Sequence, residues 1–369
     1  MAYRVVQWAT GAMGKAVLRT IIDHPGVELA GVYVYSDGKA GRDAGELAGR
    51  PPTGVLATSD VAEILALDAD VVVHAGRIGP YGSHDEELAR ILASGKNLIT
   101  INGYSHPAYW PRARTERLRA ACAAGGATLL GAGLNPGFIA EQIATVATGV
   151  CASVDHIQIT ESADASEVRD PDYLFGTLGF GVDPAACDPN DPAWEPSAAL
   201  NGMYAETLAA VACRLGLSLE RVETDHVLHP APRDIELPAG IVRAGTVSHL
   251  AWCWHGIVGG RRRLTMSIHW YVEISHLDDP HPPLWTVAVT GHPGIRIAVE
   301  LVKHPDDKSR MSAEQYAVAG QVINAIPYVV AAAPGRLTRP AATPARDDYL
   351  TFDPPVTFPP PVTFDPPAG

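Results

Sequence analysis

Short apolar runs and amphipathic segments alternate along the first 135 residues of the chain. The apolar runs have the length of strands and lie at 4–8, 28–35, 70–75, 97–101 and 127–130. The segments between them repeat apolar residues at helical spacing and lie at 13–23, 61–67, 85–94 and 112–123. Val71, Val72 and Val73 follow one another directly, which is typical of a parallel strand covered on both faces. The pattern predicts a doubly wound parallel sheet over residues 1–135.

Residues 136–311 have a different pattern. Apolar and polar residues alternate strictly from Leu264 to Val272, and segments 241–258 and 285–289 are similar. One apolar and one polar face predict an antiparallel sheet with a solvent-facing or ligand-facing side. A helical segment at about 197–215 interrupts these strands. The chain is therefore predicted to be an α/β protein whose second domain is α+β with a mainly antiparallel sheet.

The last part of the chain is predicted to contain one helix and a tail. Apolar positions in 313–332, within the segment 312–337, share one stripe, and Pro327 is expected to kink or end this helix. Residues 338–369 are rich in proline and repeat a phenylalanine at regular intervals. Such a composition favours polyproline II. Because the regularly spaced phenylalanines gain from burial, we expect the tail to run extended over the folded body or the partner subunit, with disorder as the alternative.

Composition excludes several classes of function. The chain has 369 residues, is 47% hydrophobic and carries a formal net charge of −13, which excludes global disorder and argues against nucleic-acid or anionic-membrane partners. Its 5 cysteines and 14 histidines show no spacing typical of metal ligands or of a disulfide framework, so no metal is predicted. No apolar run reaches ~18 residues, and we expect a cytoplasmic protein that does not bind membranes.

A turn that contains glycine joins the first predicted strand to the first helix. Residues 9–14 read as the dinucleotide fingerprint with its first glycine replaced by Ala9. Gly11 would let the backbone approach a pyrophosphate at the helix N-terminus, and Gly14 would allow close packing of helix on strand. The alternative is that the glycines serve only the turn. The predicted cofactor contacts here are Thr10, Gly11, Ala12 and Met13.

The loop after the second strand bears on the choice of nicotinamide cofactor. Ser36, Lys39 and Arg42 could donate hydrogen bonds to a 2′-phosphate, whereas Asp37 could bind a ribose hydroxyl. We therefore expect NADP(H) to be preferred, and NAD(H) stays open as a second cofactor.

The ends of later strands are expected to lie at the same ligand-binding crevice, because ligands of open α/β sheets bind outside the carboxyl ends of the strands. Ala75 and Gly76 follow the valine strand, and Gly133 and Asn135 lie in the segment 131–138. We expect these residues to contact the cofactor. A simple hinge is the alternative for segment 131–138.

Several short motifs occur in a specific order along residues 3–337, namely 10–14, 43–47, 131–138, 179–181 and 324–327. Together they resemble the dihydrodipicolinate reductase-like dehydrogenases, in particular the branch of 2,4-diaminopentanoate dehydrogenase and the native amine dehydrogenases. The resemblance implies a Rossmann-type first domain, a central substrate domain that forms a homodimer, and a late helix that returns to the first domain. It also implies NAD(P)H-dependent chemistry at a carbon–nitrogen bond.

One position departs from this family pattern. The amine dehydrogenase branch places a catalytic glutamate just after the strand that here ends at Ile101, where this chain has Asn102 or Gly103. Asparagine can hydrogen-bond an amine but cannot exchange a proton at neutral pH. We expect Asn102 to orient the nitrogen, and Tyr104 and His106 to supply a proton relay, with a structural role as the alternative.

Aromatic residues of the central domain could enclose a substrate, although core packing is the alternative. The predicted pocket residues are Phe138, Tyr173 and Phe175. The favoured interpretation is an NAD(P)H-dependent oxidoreductase that catalyses reductive amination of a ketone or aldehyde, or the reverse oxidation of an amine. The alternatives are a carbonyl or dihydrodipicolinate-type reductase, which needs a cationic pocket, and a cofactor-binding protein without turnover.

Overall fold

The structure is a computed structural model that describes residues 2–106 and 109–336, so the predicted tail lies outside the described residues. The first part of the chain contains β1 (Tyr3–Trp8), α1 (Ala12–Asp23), β2 (Val27–Tyr33), α2 (Ala44–Ala48), β3 (Ala57–Thr58), α3 (Val61–Ala66), β4 (Val71–His74), α4 (Asp85–Ala93), β5 (Asn97–Thr100), α5 (Arg112–Gly125) and β6 (Thr128–Gly131). Short helical turns lie at Leu134–Ile143 and Asp172–Thr177.

The second part adds a further set of strands and three more helices. They are α6 (Ala144–Ala147), β7 (Ser153–Asp164), α7 (Glu195–Arg214), β8 (Arg221–Thr224), β9 (Val227–Pro230), β10 (Ile235–Leu237), β11 (Gly240–Val242), β12 (Val247–Val258), β13 (Arg261–Tyr271), β14 (Trp285–His292), β15 (Ile295–Val299), α8 (Ala313–Ala331) and β16 (Gly335–Arg336).

The first sheet has 7 strands in the order β16-β6-β5-β4-β1-β2-β3, and all neighbouring strands are parallel. Val71 and Val73 of β4 pack on one face with α1 and α8, while Val72 packs on the other face with α4 and α5. All three valines are fully buried. The predicted doubly wound parallel sheet is confirmed, although β2 ends at Tyr33, two residues before its predicted end at Tyr35.

Helix α8 packs against α1 and the first sheet. Ser312 forms a capping box with Gln315, which fixes the start of the helix. Pro327 was expected to kink or end the helix. It does not end the helix, because α8 continues to Ala331. Burial of Ile326 and Val329 beside the proline stabilises the last turns and offsets the missing backbone hydrogen bond.

The second sheet is mixed and mostly antiparallel, as predicted. Its strands lie in the order β15-β14-β7-β13-β12-β8, with β9 also paired to β12. Only β7 and β13 run parallel among the pairs described. The expected continuous strand 241–258 is two strands, because Gly245 turns the chain at φ +83°.

One face of the second sheet is covered by α7 and the largest core of the molecule. Leu208 and Val211 of α7 are buried in this core together with Trp252, Trp254 and Met266. The predicted helix at 197–215 is therefore confirmed, and its apolar side packs on the apolar face of the alternating strands.

Two further observations concern membrane-spanning helices and the state of the cysteines. Across residues 2–106 and 109–336, no helix combines the length and the apolar character needed to cross a bilayer. All the cysteines, including the buried Cys122, carry free thiols.

The packing of α1 on β1 gives a test of the fold. A methyl group at Gly14 would overlap the carbonyl oxygen of Ala9, whereas nothing lies within 4 Å of a methyl group at Gly11. We expect Gly14→Ala to lower the free energy of unfolding by about 1–3 kcal/mol, despite the higher helix propensity of alanine. Gly11→Ala is the matched control and should leave the melting temperature of the free protein unchanged. Equal melting temperatures for both variants would contradict this packing.

Candidate active site

The turn between β1 and α1 has the geometry of a phosphate-binding loop. Ala9 has φ +76°, a conformation that favours glycine, which explains why this position is glycine in the full fingerprint. The side chain of Gln7 is fully buried and donates a hydrogen bond of 2.9 Å to the Ala9 carbonyl. The strained turn is thus held by a buried amide.

Three features of this turn suit a dinucleotide. The space in front of Gly11 is open, and Gly11 precedes the first residue of α1, so the free N–H groups of the helix face it. The Oγ1 atom of Thr10 is buried and has no hydrogen-bond partner among the described residues. No acidic residue lies in the first turn of α1. A pyrophosphate would fill the open space and give the buried hydroxyl an acceptor.

Basic side chains lie beside this turn. Lys39 Nζ donates a hydrogen bond of 3.1 Å to the Thr10 carbonyl. Burial, and then the positive charges of Lys15 and Arg42, lower the pKa of Lys39. Arg42 is already paired with Glu46 at 2.6 Å, while Ser36 is exposed. The sequence analysis included Lys39 but missed Lys15, whose place directly after the fingerprint was the available signal.

The ends of β4 and β5 are joined by Asn102. Its side-chain amide donates a hydrogen bond of 3.1 Å to the Gly76 carbonyl, and its backbone N–H donates to Thr100 Oγ1. Gly103 has φ +85°, and a Cβ atom there would lie 3.1 Å from Met203 and from the Tyr81 hydroxyl. The place after β5 therefore has no space for a glutamate at Gly103, and Asn102 braces the two strand ends.

Tyr104 and His106 lie in a separate polar cluster. The buried Tyr104 hydroxyl donates to Asp85 at 2.7 Å, and burial together with Asp85 holds the pKa of Tyr104 well above its usual range. The Arg114 guanidinium lies 4.7 Å from the centre of the Tyr104 ring and also pairs with Asp85. The backbone N–H of His106 donates to the Glu206 carboxylate. These contacts use the Tyr104 hydroxyl to hold α4 and α5 together.

Glu87 is a further polar group that the sequence analysis missed. It accepts hydrogen bonds from Tyr35 at 2.7 Å and from the buried His74 at 2.8 Å. Burial alone would raise its pKa, but hydrogen bonds from His74, His84 and Tyr35 hold the pKa of Glu87 well below its usual range. This network fixes the end of β4, next to Gly76.

A carboxylate of the second sheet meets the loop that follows β6. Asn135 Nδ2 donates to Glu161 Oε2 at 2.6 Å, and the Trp285 indole donates to the same oxygen at 2.9 Å. The Trp270 indole donates to Glu161 Oε1 at 3.2 Å. Gly133 lies in this loop at φ +135°, with its Cβ position 3.9 Å from the Ile101 carbonyl. The loop therefore links the carboxyl edge of the first sheet to Glu161.

Glu161 was missed although the sequence contains a signal for it. Side chains alternate across a strand, so Glu161 shares the apolar face of β7 with Ile157 and Ile159. A charged residue in such an apolar row is unusual. Its partners lie far along the chain, which is why a local pattern did not reveal it.

Glu161 has a second carboxylate and a tyrosine beside it. Burial, and then the negative charge of Glu161, raise the pKa of Glu314 in the first turn of α8. Burial and both carboxylates raise the pKa of Tyr173. Among the described residues, no lysine or arginine pairs with Glu161 or Glu314. The surroundings of Glu161 are therefore acidic.

The three predicted pocket residues have different surroundings. Tyr173 is 42% exposed and lies near the two carboxylates. Phe138 is partly buried and packs against the core that covers the second sheet. The ring of Phe175 instead packs 3.2 Å from the Cβ position of Gly181 and 3.1 Å from that of Gly240.

Known protein sequences are similar to this chain over part or most of its length. Residues 5–89 match the family model of the dihydrodipicolinate reductase N-terminus. Amine dehydrogenase from Streptomyces virginiae is 26% identical over 349 residues, which cover 89% of this chain and 93% of that protein. The predicted resemblance is confirmed. The 4-hydroxy-tetrahydrodipicolinate reductase of Agrobacterium fabrum is 50% identical over 126 residues, covering 27% of this chain and 46% of that protein.

Solved structures share the fold. Amine dehydrogenase from Mycobacterium smegmatis superposes with a TM-score of 0.74 at 21% identity, over 92% of this chain and 95% of that chain. A putative myo-inositol dehydrogenase from Sinorhizobium meliloti 1021 gives a TM-score of 0.54 at 15% identity, over 89% of each chain. The predicted combination of a Rossmann-type sheet and a mainly antiparallel sheet is confirmed.

The Tyr104 cluster gives a test that separates a structural role from a proton relay. Tyr104→Phe removes a buried hydroxyl and leaves Asp85 with one donor fewer, so we expect a loss of about 1–3 kcal/mol in the free energy of unfolding. The turnover of the folded variant should change by less than about threefold. Tyr109→Phe, at a position that is 42% exposed, is the control and should change neither quantity. A hundredfold loss of turnover at unchanged stability would instead establish Tyr104 as a relay.

Proposed function

We propose that the protein is an NAD(P)H-dependent oxidoreductase that interconverts an amine and a ketone or aldehyde. The resemblance to an amine dehydrogenase extends over 89% of the chain, and the β1–α1 turn has the shape and the unpartnered hydroxyl that suit a dinucleotide. The observation that carries the reaction class is the acidic crevice formed by Glu161 and Glu314.

Charge distinguishes this function from the alternatives. A dihydrodipicolinate-type substrate carries carboxylates and needs cations to bind it. Two carboxylates at the crevice repel such a substrate and attract an ammonium or iminium ion, and the neighbouring aromatic rings favour a cation as well. The geometry therefore supports amine chemistry better than reduction of an anionic imine.

The chain's residues have distinct tasks in this proposal. Thr10, Gly11 and the N-terminus of α1 would hold the pyrophosphate, with Ala12 and Met13 in the first turn. Ala75, Gly76, Gly133 and Asn135 would line the crevice toward the nicotinamide. A bound nicotinamide dinucleotide supplies or accepts the hydride. Asn102 keeps the ends of β4 and β5 together, and Trp270 and Trp285 orient the Glu161 carboxylate by donating hydrogen bonds to it.

We further propose that NADP(H) is preferred. Lys39 and Lys15 lie beside the fingerprint turn, and neither forms an ion pair with an acidic side chain among the described residues. Arg42 contributes less because Glu46 already binds its guanidinium. We also propose that the protein is a cytoplasmic homodimer, which the free cysteines and the implied dimerisation domain support.

The direct test of function is NADPH oxidation with a panel of ketones and aldehydes, each with and without ammonium. We expect oxidation that depends on ammonium and yields a primary amine, measured by absorbance and by mass spectrometry of the product. Oxidation with the ketone alone would identify a carbonyl reductase. Tight NADPH binding without oxidation of any mixture would identify a cofactor-binding protein.

The test of cofactor preference uses Lys15→Ala combined with Lys39→Ala. Hydrogen bonds to charged groups contribute about 1.5–3 kcal/mol each, so NADPH binding should weaken by at least about tenfold while NADH binding stays nearly unchanged. Arg42→Ala is the control and should weaken NADPH binding by less than about threefold. Equal losses for NADH and NADPH in the double variant would contradict the assignment.

A further inference from the structure

We propose that Glu161 is a catalytic residue that contacts the substrate nitrogen and exchanges its proton, the task that Asn102 cannot perform. The inference rests on the proposed function and names the group that would carry its acid–base step. The proposed acid–base group therefore lies on β7 of the second sheet, and not after the carboxyl end of β5 in the first sheet, where the family resemblance placed it.

The first argument is that the place after β5 offers no usable acid or base. The Asn102 amide does not exchange protons at neutral pH and donates to the Gly76 carbonyl at 3.1 Å. Gly103 carries no side chain, and Met203 and Tyr81 lie within 3.1 Å of where its Cβ atom would be. The Tyr104 hydroxyl is committed to Asp85. An amine dehydrogenase built on this chain must therefore take its proton-exchanging group from another element.

The second argument is that Glu161 is oriented and still has capacity for a ligand. Three N–H donors fix its carboxylate, from Asn135, Trp270 and Trp285, and each comes from a different element. A carboxylate has about four acceptor sites, so at least one remains for a substrate N–H. Glu161 is only half-buried, which leaves that site accessible. Fixed orientation of this kind is what a proton-transfer group requires.

The third argument is the position of Glu161 relative to the cofactor turn. Asn135 belongs to the loop that leaves the carboxyl end of β6, and the backbone N–H of Ala132 in this loop donates to the carbonyl of Thr100 in β5. Dinucleotides in open α/β sheets bind along this edge. The 2.6 Å hydrogen bond from Asn135 thus places Glu161 at the edge where the reacting carbon would meet the nicotinamide.

The fourth argument is charge. Glu314 lies near Glu161, and its raised pKa reflects burial and the repulsion between the two groups. A cation between them relieves that repulsion. Tyr173 lies near both carboxylates, and its ring is of the kind that binds ammonium ions. An ammonium or iminium nitrogen is the ligand that this arrangement accommodates best.

The step balances as follows in the direction of amine oxidation. The ammonium R₂CH–NH₃⁺ gives one proton to the Glu161 carboxylate, which forms the carboxylic acid and the neutral amine. The amine carbon then loses a hydride, with two electrons, to the oxidised cofactor, and the C–H bond becomes the C=N bond of R₂C=NH₂⁺. Water adds to that carbon, one of its protons passes to the nitrogen, and loss of ammonium, NH₄⁺, yields the ketone. Glu161 returns its proton to solvent.

The test compares the wild type with Glu161→Gln and Glu161→Asp in complex with NADP⁺. Calorimetric titration with isopropylammonium, butylammonium and benzylammonium measures amine binding, and NADPH fluorescence measures cofactor binding. We expect Glu161→Gln to bind NADPH as the wild type does and to bind the amine at least about tenfold more weakly. Its turnover should fall by about 10²–10⁴-fold, and Glu161→Asp should recover part of it.

Glu314→Gln removes the neighbouring charge without removing the proposed contact, and it should raise KM for the amine severalfold. The matched control is Glu236→Gln, which changes an exposed carboxylate of β10 and should alter neither KM nor kcat. Equal amine affinity in the wild type and Glu161→Gln, or no amine binding by the wild type, would overturn the role of Glu161. Failure of the proposed function has a different signature, namely amine binding that depends on Glu161 without NADPH oxidation by any ketone and ammonium.

Discussion

The hydrogen bond from Asn135 to Glu161 connects the two sheets, and the proposed function depends on this connection. One partner lies in the loop that leaves the parallel sheet, and the other lies on the apolar face of the second sheet. A carboxylate placed among apolar residues is costly unless N–H groups satisfy it. Here two indoles and one amide do so, and the amide thereby links the carboxyl edge of the first sheet to β7 of the second sheet.

The first sheet provides the strand ends and the turn that are proposed to bind the cofactor. Its parallel strands all end at one edge, and the strained turn at Ala9 presents the N-terminus of α1 at that edge. The buried networks around Glu87 and Asp85 hold the strand ends and helices beside it. Several polar side chains near the strand ends are therefore engaged in hydrogen bonds with one another.

Local sequence patterns predicted what depends on neighbouring residues. The valines of β4 and the turn between β1 and α1 both follow from short segments, because strand burial and turn geometry are local constraints. The predicted helical stripe 313–332 matches α8, but the helix does not end at Pro327, because burial of Val329 outweighs the local effect of the proline.

The candidate site depends on contacts that no local pattern contains. The indoles that hold Glu161 are 109 and 124 residues away from it. Tyr104 is positioned by Asp85 and Arg114, which come from two different helices. The sequence analysis could identify these residue types but not which polar groups neutralise one another, and that pairing decides which of them remain available for a substrate.

The most direct measurement is a crystal structure of the wild-type protein with NADP⁺ and a small primary amine. The account predicts the amine nitrogen within hydrogen-bond distance of the Glu161 carboxylate, with its carbon facing the nicotinamide at the carboxyl edge of β6. An amine bound instead against Asn102, with Glu161 in contact only with Asn135, Trp270 and Trp285, would contradict it.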